Sequence, residues 1–489
     1  MKNLSLLFLL IASVALHAQV IVKDTLMVVV GLNVQTKQVI GQVSFHAPEA
    51  GKVIVTFDGN VYSDPGDLII LAASDDTDWH INDGSTSVEA ISASNNVSVF
   101  SHTRVYDVTP GDHTYYAVAH NYVETDGNGI IDLYGRLTVK YVANSSGEIV
   151  AFSPVNVINK DLTNKEVVGQ VSIQAPTAGK AIVRFDGECV ADPGDRIVLD
   201  ASDNMNWDNL HYVSVEAIDN DLNTGTFANT RVYDISAGSH TFYAIAHNYA
   251  ETDGNGKASI YGSLTVDFIP SSDAQKVAEE TIAEQLQSVA GGVTMMQAMI
   301  NASGPGKVLA NFSGQIVRNQ GSDNYLIDVS SKPNWDNQSI DYDEIITPND
   351  DQNFVNISNS ELFDVTSSGN HTFYVNINGD GAPSAFGTFI LTYIPNTINA
   401  IHPADIQHWT FDLSPNPAAN YITVTLPEAL RAQAVDLSIT DINGRVLLQQ
   451  RDHHGKTAVW DLSTLPRGTY LISVKTKDGI VSSLPFEKQ

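Results

Sequence analysis

A long internal repeat is the feature that most constrains the fold of this chain. The stretch that begins at Thr103 (TRVYDVTPGDHTYYAVAHNYVETDGNGIIDLYGRLTVKY) returns at Thr230 as TRVYDISAGSHTFYAIAHNYAETDGNGKASIYGSLTVDF. A third, more diverged copy starts at Leu362 (LFDVTSSGNHTFYVNINGDG). A repeat of this length is a whole domain, longer than one rung of a solenoid. The sequence therefore predicts three homologous domains in a row.

Each repeat has the pattern of an antiparallel all-β domain. Runs rich in Val, Ile, Phe and Thr alternate with polar residues and are separated by turn signals such as DPGD at Asp64 and Asp192. About eight such strands without helical periodicity predict a β-sandwich or jelly roll, and the lack of crossover helices excludes a parallel α/β fold. The strand order and the G-x-H-T run that contains His113 weakly resemble the C1q-like jelly-roll family, which implies the same fold.

The segment between the second and third repeats breaks the strand pattern. In 271–290, Val277, Ile282, Leu286 and Val289 share one face if the segment is helical, and two glycines follow. We therefore predict one short linker helix there. The predicted domains are a signal peptide (1–18), β-sandwich repeats (20–143, 144–270 and 291–395), the helical linker (271–290), a second linker (396–410) and a small C-terminal β-sandwich (411–489).

Composition and the N-terminus indicate an exported protein. The formal net charge is −30, which argues against nucleic acid and against an anionic membrane surface as partners. Residues 1–18 combine an early lysine with an apolar run that is too short to span a bilayer, as in a secretory signal peptide, and no later stretch predicts a transmembrane segment. Cys189 is the only cysteine, so no intramolecular disulfide forms, and we expect it to be buried in a strand.

Comparing the three copies separates scaffold from function. His113, His240 and His371 are kept in all three repeats, which favours a structural, hydrogen-bonded histidine over a metal ligand. Asp58 and Asp186 are kept in two copies and replaced by Ser313 in the third. The DPGD turns and the AHNYxETDGNG loops are likewise restricted to the first two repeats.

Those two loops contain a candidate calcium site. Calcium needs six to eight oxygen ligands, which closely spaced acidic and amide side chains on a Gly-rich turn can supply. An ordinary hairpin turn explains Asp, Asn and Gly equally well, and the EF-hand pattern is absent. Calcium is the one cofactor that the sequence suggests. The candidate ligands are Glu124, Asp126, Asn128, Asp132, Glu251, Asp253 and Asn255.

The sequence contains no recognisable catalytic motif. There is no nucleophile elbow, metalloprotease helix, phosphate loop or dinucleotide fingerprint. Glu89 and Glu216, together with Arg104 and Arg231, resemble paired groups of a glycosidase, but an acid matched by an arginine on a neighbouring strand is typical of an ion pair. We predict no catalytic residues.

The last part of the chain is different in kind. It contains a Pro-Asn-Pro turn, an Asp-x-Asn-Gly-Arg hairpin and a Leu-Pro-x-Gly-x-Tyr run, of which Asn-Gly is by itself a strong hairpin signal. These motifs closely resemble the C-terminal sorting domain of the Bacteroidota type IX secretion system. The matching residues are Pro415, Asn416, Pro417, Asp441, Asn443, Gly444, Arg445, Leu465, Pro466, Gly468 and Tyr470.

The resemblance implies a route and partners rather than a cargo function. It implies Sec export, translocation across the outer membrane by the type IX machinery, removal of the domain by a sortase-like protease, and release or attachment to surface lipopolysaccharide. For the repeats, the leading hypothesis is a secreted or surface-exposed, noncatalytic adhesion protein that binds an extracellular glycan or protein. The alternative is a secreted glycan-active or other hydrolytic enzyme on the same scaffold.

Overall fold

The structure is a computed structural model. Among its described residues, every regular element is a β-strand. The same residues contain no helix that could span a membrane. The structure divides into two compact units, 1–397 and 398–489. The described residues are 20–78, 85–89, 97–123, 128–206, 211–217, 224–250, 255–271, 276–317, 324–335, 343–346, 354–396, 411–426, 430, 434–441, 446–476 and 481–489.

The first unit contains three copies of one eight-stranded pattern. The first repeat has β1 (Val20–Asn33), β2 (Gln38–Ala47), β3 (Gly51–Tyr62), β4 (Leu68–Ser74), β5 (Thr86–Glu89), β6 (Val97–Val108), β7 (Gly111–Val123) and β8 (Ile130–Ala143). The second has β9 (Ile149–Asp161), β10 (Glu166–Ala175), β11 (Gly179–Ala191), β12 (Arg196–Ser202), β13 (Val213–Glu216), β14 (Thr224–Ile235), β15 (Gly238–Ala250) and β16 (Lys257–Pro270). The third has β17 (Lys276–Gln285), β18 (Val293–Ala302), β19 (Gly306–Val317), β20 (Asn324–Ser330), β21 (Asp343–Ile346), β22 (Phe354–Val365), β23 (Gly369–Gly379) and β24 (Ser384–Pro395).

Each repeat is a sandwich of two four-stranded antiparallel sheets. In the first repeat the sheet orders are β1-β8-β3-β6 and β2-β7-β4-β5, and the other two repeats have the same orders with their own strands. Alternate residues of each strand face the partner sheet and form one main apolar core per repeat, which includes Phe57, Phe185 and Phe312 at one equivalent position. The predicted all-β class is confirmed.

The predicted linker helix at 271–290 is wrong. Its central part is strand β17, which pairs in antiparallel register along β24, with Ile282 opposite Gly387. β17 corresponds to β1 and β9, which cover the same sheet position in the other repeats. Without it, β24 would expose a row of unpaired backbone groups, and this long-range requirement outweighs the local helical spacing. The third sandwich therefore begins at Lys276.

The three repeats pack around a common axis where β6, β14 and β22 contact one another. Buried hydroxyls of one repeat donate to a buried aspartate of another. Ser101 and Thr103 of the first repeat donate to Asp186 Oδ2 of the second, at 3.1 and 2.6 Å. In the same way, Ser360 of the third repeat donates to Asp58 Oδ2 of the first at 2.7 Å. These bonds join the first repeat to the other two, and β13 and β14 contact β22 at the remaining junction, so the three repeats form a closed ring.

Buried charges reinforce this ring. Arg184 Nε donates to Asp186 Oδ2 at 2.9 Å, and its Nη2 reaches Ser358 of the third repeat at 2.8 Å. Lys140 Nζ lies 2.6 Å from Asp267 and 3.1 Å from Glu148. Burial opposes the charge of Lys140, but the two carboxylates outweigh it and raise its pKa to about 12.

The second unit is a smaller β-sandwich. Its strands are β25 (Asp412–Ser414), β26 (Tyr421–Thr425), β27 (Val435–Asp441), β28 (Val446–His453), β29 (Thr457–Asp461), β30 (Gly468–Thr476) and β31 (Val481–Lys488). They form the sheets β25-β26-β29 and β28-β27-β30-β31. Trp460, Ile472 and Phe486 contribute to its own core.

Candidate functional site

An exposed tyrosine stands at the end of β7, beside a histidine on the same face of the strand. His120 and Tyr122 are two residues apart, so they point to the same side, and their rings meet edge to face with centroids 6.1 Å apart. Tyr122 is 54% exposed. Burial, together with the charge of Lys37, lowers the pKa of His120, so its imidazole is neutral at neutral pH.

The second repeat builds the same pair on β15. The rings of His247 and Tyr249 are 6.2 Å apart, and Tyr249 is 61% exposed. Burial again lowers the pKa of the histidine. In the third repeat the equivalent positions carry Asn378 and Asp380. The two His–Tyr pairs, called here the aromatic surfaces, therefore occur only in the first two repeats.

A buried asparagine between each histidine and tyrosine anchors the strand end. Asn121 points the opposite way from its neighbours, and its Nδ2 donates to the buried Asp67 of the DPGD turn at 2.6 Å. Asn128, after the loop, donates to Asp64 of the same turn at 2.9 Å. This double hydrogen-bonded brace ties the DPGD turn to both ends of the AHNYxETDGNG loop.

The second repeat has the same brace. Asn248 donates to Asp195 at 2.6 Å and Asn255 donates to Asp192 at 2.8 Å. A brace needs both partners, which explains why the DPGD turn and the loop are kept together in two repeats and lost together in the third. Each aromatic surface thus stands on a fixed strand end.

The candidate calcium ligands are only partly within the described residues. Glu124, Asp126, Glu251 and Asp253 lie outside them. Asn128 Oδ1 accepts from the backbone of Ile130 at 2.7 Å, and Asn255 Oδ1 accepts from that of Lys257 at 2.8 Å. Asp132 Oδ1 accepts from the backbone of Gly31 at 2.7 Å. The described residues contain no group of three acidic, His or Cys side chains placed for a metal ion, and the calcium site stays a prediction.

The histidines that all three repeats share are structural, as predicted. The Nε2–H of His113, His240 and His371 donates to the backbone carbonyl four residues earlier, at 2.6, 2.8 and 3.0 Å. Each ring thereby closes the turn before its strand.

The remaining candidates also have structural surroundings. Arg231 lies 3.5 Å from Asp200, which makes Asp200 its ion partner, and Arg104 stacks near the rings of Tyr106 and Phe152. Cys189 is fully buried, and burial together with Glu188 raises the pKa of its thiol. Arg231 is thus engaged in an ion pair, and Cys189 offers no exposed nucleophile.

The sorting-motif residues that are described form two turns of the C-terminal unit. Pro415 and Pro417 follow cis peptide bonds, and Asn416 Oδ1 between them accepts from the backbone of Glu487 at 3.0 Å. Tyr470 donates to the carbonyl of Pro466 at 2.8 Å, next to Leu465 and Gly468. Asp441 ends β27, whereas Asn443, Gly444 and Arg445, like the signal peptide, lie outside the described residues.

Sequence reasoning missed the aromatic surfaces and the role of Asp58 and Asp186. Strand alternation already places His120 and Tyr122 on one face, and their joint replacement in the third repeat was visible. That this face is the exposed one depends on how the sheets pack, which alternation alone does not determine.

Comparison with known proteins identifies the C-terminal unit. Residues 412–484 match the family model described as a secretion system C-terminal sorting domain. This region is therefore a type IX secretion sorting domain, a cleavable signal that directs export to the cell surface or the extracellular space. No curated protein matches the chain.

Similarity to solved structures is slight. A structure titled for the Sulfolobus turreted icosahedral virus has 10% identity, a TM-score of 0.20, and coverage of 76% of this chain and 90% of that one. A biofilm-associated protein BSP domain has 10% identity, a TM-score of 0.16, and coverage of 69% and 80%. A putative secreted protein from Parabacteroides distasonis ATCC 8503 has 9% identity, a TM-score of 0.12, and coverage of 52% and 90%. Scores this low carry no argument about fold or function.

Proposed function

We propose that this type IX-secreted chain is a noncatalytic binding or adhesion protein whose ligand is an extracellular glycan or protein. The observation that carries the proposal is the pair of equivalent aromatic surfaces, each with an exposed tyrosine on a braced strand end. After removal of the sorting domain, the three-repeat unit would be released or attached to surface lipopolysaccharide.

The chemistry of these surfaces suits recognition. A tyrosine ring offers a flat apolar face and a hydroxyl, and aromatic residues are enriched at binding interfaces. The neutral histidine supports the ring edge without adding charge. The brace fixes the strand end before a ligand arrives, so less conformational freedom is lost on binding.

An array of glycans and matrix proteins tests the proposal. The chain from residue 20 to 489 should bind at least one ligand class, and Tyr122→Ala combined with Tyr249→Ala should abolish that binding. The matched control is Tyr421→Ala, which removes an equally exposed tyrosine of the sorting domain and should change nothing. Binding that survives in the double variant would contradict the proposal.

The hydrolase alternative has its own test. Turnover of a polysaccharide or peptide that disappears in Glu216→Gln would show that the chain is an enzyme. We expect no turnover, because Asp67 and Asp195 serve as braces and Asp200 is paired with Arg231.

A further inference from the structure

A cavity opens at the junction of the second and third repeats. Its volume is about 170 Å³, more than ten times the roughly 10–15 Å³ that one water molecule requires. Arg196 and Tyr212 line it from the second repeat, and Phe354 and Phe386 line it from the third. The cavity therefore has room for a small ring and exists only because the two repeats meet.

Arg196 is the only charged residue among the described residues that line this cavity. Its Nε and Nη2 both donate to Ser214 Oγ, at 3.2 and 3.1 Å, which fixes the guanidinium plane. Its Cζ lies 3.8 Å from the ring centroid of Phe354 and 5.5 Å from that of Tyr249. Within the described part of the chain, Nη1 has no acceptor, so the edge formed by one N–H of Nη1 and the second N–H of Nη2 is available for a carboxylate.

The third repeat supplies fixed and apolar walls. Gln315 Oε1 accepts from the backbone of Ser214 at 2.9 Å, so this side chain belongs to the junction itself. Val317, Phe354 and Phe386 give the cavity an apolar side, and Ser384 adds one hydroxyl. The cavity thus combines a guanidinium stacked on the Phe354 ring with the apolar side chains of Val317 and Phe386.

The cavity is specific to this junction although the repeats are near copies. The position of Arg196 is Leu68 in the first repeat and Asn324 in the third. The position of Phe354 is Val97 in the first repeat and Thr224 in the second. Both the charge and the aromatic wall are therefore departures from the repeat pattern, and neither is needed to build a sandwich or to close the ring.

We propose that this cavity binds a small organic acid, with its carboxylate on Arg196 and its ring against Phe354 and Phe386. A guanidinium donates two parallel N–H bonds to a carboxylate, and such charge-assisted bonds are the strong ones. The chain has a net charge of −30, so a half-buried arginine that lines a cavity without a lining carboxylate among the described residues is a local exception to its acidity. The inference goes beyond the proposed function and would hold even if Tyr122 and Tyr249 bound nothing.

The test is calorimetric titration of the chain from residue 20 to 489 with matched acids and neutral compounds. D-Glucuronate and cyclohexanecarboxylate represent a hydroxylated and an apolar ring, and D-glucose and cyclohexanol are their neutral counterparts. At least one acid should bind, and its neutral counterpart should bind at least 10-fold more weakly. The acid that binds identifies the kind of ring.

Arg196→Leu, which installs the residue of the first repeat, should weaken the acid about 10- to 100-fold. Arg196→Lys keeps the charge without the fork, should fold even if the leucine variant does not, and should also bind more weakly. Tyr421→Ala, an exposed position of the sorting domain, is the control and should bind normally. No binding of either acid to the wild type, or equal binding by wild type and both Arg196 variants, would overturn the proposal.

Discussion

At two of the repeat junctions, the same position carries a different hydrogen-bond acceptor, a carboxylate in one repeat and an amide in the other. Glu188 of the second repeat accepts hydrogen bonds from both the backbone and the hydroxyl of Ser87 in the first repeat. Gln315 occupies the equivalent position in the third repeat and accepts from Ser214 of the second. Burial raises the pKa of Glu188 to about 7, although the bonds from Ser87 lower it.

This raised pKa predicts a pH-dependent stability. Between about pH 4.5 and 7 the folded chain holds a proton on Glu188 that the unfolded chain has lost, so the free energy of unfolding falls as pH rises through that window. Glu188→Gln keeps the acceptor, as Gln315 does, and should reduce the loss of stability between pH 5 and pH 8. Urea unfolding midpoints at pH 5 and pH 8 measure this loss of stability, and Glu284→Gln, at an exposed position, is the control. An unchanged pH dependence in Glu188→Gln would refute this assignment.

The junction between the second and third repeats offers a second test at the residue scale. Ser313 stands where the other repeats have Asp58 and Asp186, and Ala228 stands where they have Ser101 and Ser358. Neither Ser313 Oγ nor Thr230 Oγ1 has a hydrogen-bond partner among the described residues. The acceptor and one of its donors were thus lost together.

Rebuilding that junction should show coupling. Ser313→Asp alone should destabilise the chain, because it buries a carboxylate with only Thr230 to donate. Ala228→Ser supplies the missing hydroxyl, so the double variant should recover about 1–2 kcal/mol relative to the sum of the single variants. A double-mutant cycle in urea measures the difference, and strict additivity would mean that the ring does not place these groups together.

At the scale of elements, the sequence predicts those strands in which apolar and polar residues alternate. It does not predict a strand that forms only because a distant strand pairs with it. Alternation and turn residues predicted the β-sandwich repeats from local signals. The local pattern of β17 predicts a helix because its apolar residues fit a helical face. Its pairing partner, β24, lies about 110 residues further along the chain, so no local signal indicates the strand. The sequence shows that the third repeat lacks both the DPGD turn and the AHNYxETDGNG loop. It does not show that the two are hydrogen-bonded, since that contact depends on the folded sheets.

The loops themselves carry the calcium prediction. If they bind calcium, gathering carboxylates around one ion removes their mutual repulsion and stabilises the folded chain by mass action. Millimolar calcium should then raise the melting temperature, magnesium should raise it less, and Asp126→Ala with Asp253→Ala should abolish the shift. Equal shifts in wild type and double variant would mean that the loops are hairpin turns held by their braces alone.

At the scale of the molecule, routing and cargo are separate. The sorting domain has its own core and forms its own compact unit. Deleting 411–489 should therefore leave the three repeats folded and trapped in the periplasm. Cell fractionation and protease accessibility measure the location of the truncated chain. A truncated protein that still reaches the surface would contradict the routing role of this domain.

The repeats also differ in whether they carry an aromatic surface. Two repeats carry an aromatic surface and the third carries Asn378 and Asp380 instead, so the count follows from the sequence positions and their exposure. The third repeat closes the ring through Asp58 and Arg184 without offering a surface of its own.

The most direct test of this account is the stoichiometry of binding, measured by calorimetry with a monovalent form of whichever ligand the array identifies. We expect two equivalents per wild-type chain, one for Tyr122→Ala, one for Tyr249→Ala and none for the double variant. A stoichiometry of one or three in the wild type, or one that the tyrosine variants leave unchanged, would contradict the claim that the first two repeats are the binding modules.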